Sequence, residues 1–224
     1  MCEDIDTIDT KNQQLTEIFA AVGEKYGYET VNAEFMAFRE FKCTWQRSYK
    51  WADFRISDYL EDAPEDVLSE LADTLFRKIR GDEYSSSQEL KKYVTTKEFR
   101  DNHYKTYISR CTDYEELDPS IIKGVCEKYG IEVENCTLCK YSGDYTHKAA
   151  GCSVLMRVIG ISDILFNEDV PEFVRDFAIY CELQHIIMGY DPDRNTEDEY
   201  NERIQKFPQY EEAKNVMRKL CVYI

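Results

Sequence analysis

A chain of 224 residues with 43% apolar and 13% aromatic content can bury a sizeable core, as one large domain or as one domain with a helical appendage. Its formal charge of −16 repels phosphate backbones and argues against nucleic acid as a partner. No window approaches the roughly eighteen uncharged apolar residues of a membrane span, and Met1-Cys2-Glu3-Asp4-Ile5-Asp6 has acids where an export signal has bases, so a cytoplasmic address with reduced cysteines is expected.

Leu15, Ile18, Phe19 and Val22 recur at helical spacing, which predicts an amphipathic helix over 12–28 that stops at Gly23 or Gly27. Residues 44–60 alternate aromatic and polar side chains and read as an extended, half-buried segment. Within the basic run from Arg39 to Arg55, the interleaved Phe41, Trp45, Tyr49 and Trp51 are expected in the core with the bases solvated outside, although such a run could face an acidic partner. Pro64 with Glu65 and Asp66 opens a helix whose stripe is Val67, Leu68, Leu71, Leu75, Phe76 and Ile79. Arg77, Lys78 and Arg80 close it before Gly81. Residues 81–118 turn polar and read as an insertion of short helices.

A helix over 119–129 leads to a cysteine-bearing loop, 154–161 is an apolar run suited to a buried strand, and Pro171 opens a long helix ending at Gly189. A terminal helix follows over 208–220. Ile56-Ser57-Asp58-Tyr59-Leu60 with Pro64-Glu65 and Val67 is echoed by Ile161-Ser162-Asp163-Ile164-Leu165 with Pro171-Glu172 and Val174. Two similar strand-to-helix junctions explain the echo more simply than duplication does.

Tyr180-Cys181-Glu182-Leu183-Gln184-His185 reads as the zinc-protease pattern H-E-x-x-H with cysteine in place of its first histidine. In the intact pattern two histidines four apart share a helix face and hold zinc while the glutamate polarises the bound water. Cysteine also ligates zinc, but its charge lowers the Lewis acidity that hydrolysis needs.

With this motif, Gly151-Cys152-Ser153, the run from Ile159 to Leu165, Val170-Pro171-Glu172-Phe173-Val174, Glu202, and Phe207-Pro208-Gln209-Tyr210-Glu211-Glu212-Ala213, the chain from residue 151 to 224 resembles the SprT/YgjP-type zincin metallopeptidases, in an archaeal-looking variant. The resemblance implies an α+β, zincin-like fold spanning 1–224, with 151–224 as the motif-bearing half. A small sheet from the segments around Phe54 and 154–161 would pack on the motif helix. It implies Glu182 as catalytic base and Cys181 and His185 as metal ligands, with the third family histidine falling at Thr196, where nearby Asp193, Glu197 or Asp198 could supply an oxygen. Two of three ligand histidines are thus replaced, which favours a non-catalytic binding or regulatory pseudoenzyme. The alternative is a metal-dependent hydrolase using Cys181, His185 and a carboxylate.

Cys136, Cys139, His147 and Cys152 offer the ligand inventory of a separate structural zinc site, with Lys140 and Gly143 beside them. Nucleophilic catalysis finds no support: His103 has no serine or cysteine elbow near it, and no phosphate-cradling glycine loop occurs.

Overall fold

The computed structural model describes residues 3–142 and 147–224, with side chains from residue 9 onward. Met1, Cys2 and Gly143 lie outside the described residues. The chain divides into two compact units, 1–103 and 104–224. The first runs α1 (Glu3–Lys25), β1 (Thr30–Met36), β2 (Cys43–Arg47), β3 (Trp51–Ser57), a 3-10 turn (Asp58–Leu60), α2 (Glu65–Arg80) and α3 (Gln88–Val94), and α4 (Lys97–Arg110) begins in it. The second runs β4 (Tyr114–Glu116), α5 (Pro119–Tyr129), β5 (Thr137–Tyr141), β6 (Ala150–Ser153), β7 (Val158–Ser162), a 3-10 turn (Asp163–Phe166), α6 (Glu172–Met188), α7 (Glu197–Ile204) and α8 (Tyr210–Lys219).

The mixed α+β class is as expected, but the single sheet is not. Phe54 belongs to a three-stranded sheet of order β1-β3-β2, and residues 158–162 belong to a four-stranded sheet of order β4-β5-β7-β6. The extended reading of 44–60 becomes a hairpin, because the chain reverses at Ser48-Tyr49-Lys50 and β2 pairs antiparallel with β3. That reversal also overturns the core placement of its aromatics. Tyr49 is 89% and Trp51 39% exposed, while Phe41 and Trp45 are half-buried. Residues 154–157 form a turn, so the buried strand starts only at Val158. In the expected insertion 81–118, α3 and α4 are indeed short helices, and the boundary between units falls inside α4.

Both units repeat one architecture. Each has a helix, three strands, a 3-10 turn and three further helices in that order, and in each the first strand runs parallel and the second antiparallel to a central third. The sequence carries the repeat at two places. Besides the junction echo, Val22-Gly23-Glu24-Lys25-Tyr26-Gly27-Tyr28-Glu29 matches Val125-Cys126-Glu127-Lys128-Tyr129-Gly130-Ile131-Glu132 at all but two positions. The matched residues perform the same tasks. Gly27 (φ 81°) and Gly130 (φ 66°) take the left-handed backbone that ends the first helix, a conformation that costs glycine little. Tyr26 donates its hydroxyl to Asp73 of α2 at 2.5 Å, and Tyr129 donates to Asp176 of α6 at 3.2 Å. Topology, turn chemistry and two sequence echoes thus recur in both units, so the echo belongs to a repeated architecture and not to the junctions alone.

Sheet edges are treated unequally. Thr16 of α1 bonds both the N–H and the carbonyl of Ala33, and Asn12 accepts from the Phe35 N–H, so the outer edge of β1 is blunted. In the second unit β4 pairs on the outer edge of β5. There Tyr114 stacks on Tyr141, with ring centroids 5.7 Å apart, and its phenol fills the space above Gly160 in β7. A methyl on Gly160 would overlap that phenol, so Gly160→Ala is expected to lower the unfolding free energy by about 1–3 kcal/mol, with part regained when Tyr114→Ala is added. Denaturant unfolding of the single and double variants checks this, and a neutral Gly160→Ala would contradict it.

Candidate functional site

Helix α6 positions the motif. Pro171 stands at its N-cap, Glu172 lies in its first turn, and Gly189 ends it. Its apolar residues Val174, Phe177, Ala178, Ile179, Leu183 and Ile186 are buried around most of its circumference, as in a helix covered on several sides. Polar motif residues are therefore buried with it. Cys181 is fully buried, Glu182 is 3% exposed and His185 is half-buried.

Their partners come from β6 and α7. The ring of His185 stacks on Tyr200 of α7, centroids 4.1 Å apart and planes 12° from parallel. The Tyr200 hydroxyl also lies close to the sulfur of Cys181. On the sheet side, the Cys152 thiol donates to the Glu182 backbone carbonyl at 3.8 Å and lies near its carboxylate.

Burial dominates the electrostatics. Desolvation raises the Glu182 carboxyl, and the Cys152 hydrogen bond and nearby Lys148 pull it partly back. Desolvation, reinforced by the Lys148 charge, lowers His185. Cys181 and Cys152 are pushed far up, first by burial and then by the adjacent Glu182 charge, which opposes formation of a nucleophilic thiolate.

The remaining expected ligands do not converge. Asp193, Glu197 and Asp198 are exposed, and Thr196 spends its backbone carbonyl on the Tyr200 N–H at 2.8 Å. Among the described residues no three of His, Cys, Asp and Glu gather into a set able to hold a metal ion. As arranged, these residues do not fit a zinc tetrahedron. For Cys136, Cys139, His147 and Cys152 the obstacle is the pleat. Cys139 pairs across Gly160 of β7 whereas Cys152 pairs with neighbouring Ile159, so they point to opposite sheet faces. Cys139 lies near Cys111 and Glu116, Cys152 lies near Cys136 and Glu182, and His147 is exposed. His103 packs its ring against Phe99 and Tyr59, at 4.6 and 5.4 Å.

Sequence reasoning did not identify Tyr200 as the residue joining Cys181 to His185, nor Lys148 as the cation of the cluster. Spacing signals a shared helix face, but a contact from α7 or β6 has no local signature. No family model matches the chain, and neither a curated protein nor a solved structure matches it.

The two titratable groups should act on stability in opposite directions. A lowered His185 binds its proton more weakly folded than unfolded, so its contribution is full above about pH 6.5 and is lost as pH falls below that. A raised Glu182 holds its proton more tightly folded, so stability falls as pH rises from about 4.3 through the folded value. His185→Gln is expected to flatten the loss on acidification between about pH 7 and 5. Glu182→Gln should raise stability at pH 7 by about 1 kcal/mol. Urea unfolding across pH checks both signs, and a destabilised Glu182→Gln would contradict the second.

Proposed function

We propose that this chain is a non-catalytic binding or regulatory protein with a protein or peptide partner, in which the zincin-like sequence of α6 is a packing surface. Tyr200 carries the reading. One side chain stacks on the ring of His185 and lies close to the sulfur of Cys181, the two donors that a hydrolase of this type would need free. The repeated architecture supports it independently. When α2 is matched to α6 through Pro64 and Pro171, the positions of Cys181, Glu182 and His185 are held by Thr74, Leu75 and Lys78, so the repeat uses this helix without any metal-type residue. A SprT-like ancestry of the second unit remains compatible with such a pseudoenzyme.

The competing hydrolase, with Cys181, His185 and a carboxylate on zinc and Glu182 as base, requires Tyr200 to leave both side chains. Zinc analysis of protein purified without chelator separates the two. The expected content is far below one equivalent and unchanged in Cys181→Ala/His185→Ala. About one equivalent, lost in that double variant, would overturn the proposal.

A further inference from the structure

We propose that the open edge of β2 in the first unit is a strand-addition site for an extended acidic segment of a partner protein. The inference rests on the binding reading above but uses a different surface from α6.

Ladder geometry defines the edge. Ser48 N–H bonds the Trp51 carbonyl at 2.9 Å and Ser57 N–H bonds the Lys42 carbonyl at 3.1 Å, which marks the hydrogen-bonded pairs of β2 with β3. By alternation the N–H and carbonyl groups of Cys43, Trp45 and Arg47 point away from β3. Among the described residues no backbone group pairs with them. Elsewhere stretches of sheet edge have partners. Side chains of α1 blunt β1, β4 covers β5, and Tyr223 pairs beside β6, its N–H on the His147 carbonyl at 2.8 Å and its carbonyl on the Ala149 N–H at 2.6 Å. Thus the second unit pairs the residues just before β6 with its own chain, while β2, the counterpart of β6, has no such backbone partner among the described residues.

Charge selects the occupant. In a chain of net charge −16, the run from Arg39 to Arg55 holds Arg39, Lys42, Arg47, Lys50 and Arg55 against Glu40 and Asp53. Arg39, Lys50 and Arg55 are paired with Glu40, Glu29 and Glu34. Lys42 rests over the Phe38 ring at 4.6 Å, and neither it nor Arg47 meets a carboxylate among the described residues. Two uncompensated cations therefore bracket the open backbone, and exposed Tyr49 and Trp51 stand at the hairpin beside it. An acidic strand would satisfy the backbone donors and acceptors and both cations together. A second copy of β2 would bring the same cations face to face.

The test is amide hydrogen exchange by NMR on the full chain with a synthetic peptide of about ten residues alternating threonine and glutamate. At saturation the amides of Cys43, Trp45 and Arg47 are expected to slow by at least about tenfold. The fully N-methylated peptide should not slow them, and Lys42→Glu/Arg47→Glu should weaken binding by about tenfold or more. Trp45→Pro, which removes an outward N–H together with the indole, should weaken it more than Trp45→Val does while keeping the β3 amides protected. Unslowed β2 amides would overturn the proposal. So would peptide shifts confined to Asn32, Thr44 and Asp53 on the sheet face and insensitive to N-methylation, or protection of the edge by self-association without peptide. Failure of the peptide on zinc-free protein refutes this site alone, whereas stoichiometric zinc refutes the reading of α6 and leaves the β2 test standing.

Discussion

Parallel pairing of the first and third strands in each unit is the constraint from which the rest of the structure follows. A parallel neighbour cannot be reached by a tight hairpin, so the chain must spend its second strand on the far side of the third before returning to the centre. The third strand is then flanked on both sides and must be apolar where helices cover it. β7 is buried along its whole length, and β3 buries Ala52, Phe54 and Ile56 on alternate positions. The end of that central strand feeds the 3-10 turn and so dictates where α2 and α6 begin. Everything the motif helix can touch is decided by that placement.

The polar cluster of α6 follows from how much of this helix is covered. With sheet on one side and α7 and α8 on others, few positions remain for solvent, and Glu182 and Cys181 are carried inward with the apolar residues. Side chains from β6 and α7 meet them there. Cys152 donates to the Glu182 backbone carbonyl, and Tyr200 stacks on His185 close to Cys181. A buried polar group with partners costs little, whereas one stripped of them costs about 1–3 kcal/mol. Desolvation opposes the charged form of each group, raising Glu182, Cys181 and Cys152 and lowering His185.

Local chemistry was legible in the sequence, and long-range pairing was not. Capping acids, terminal bases and Gly81 announced α2, and the proline-led start and glycine stop announced α6, because those signals lie within a few residues of the elements they bound. α1 begins at Glu3, ahead of the predicted start, since the polar residues before Leu15 carry no periodic stripe. The aromatic alternation at 44–60 suggested burial, yet a chain reversal at Tyr49 makes half of that alternation face water. The repeated architecture left a readable trace at Glu24-Lys25-Tyr26-Gly27 and Glu127-Lys128-Tyr129-Gly130, whose shared reason is a helix that must end on a left-handed glycine while its tyrosine reaches the next helix. Candidate ligands failed to gather for a reason spacing cannot express. Cys139 and Cys152 sit on strands whose register places them on opposite faces.

The central claim is that Tyr200 closes the Cys181/His185 face of α6 into a packed seam. NMR of the His185 imidazole, in the presence and absence of one equivalent of zinc, tests it most directly. The account predicts ring protons shifted upfield by the stacked phenol, titration below the ordinary histidine range near 6.5, and no response to zinc. Ring signals at ordinary shifts that move or broaden on adding zinc would contradict it.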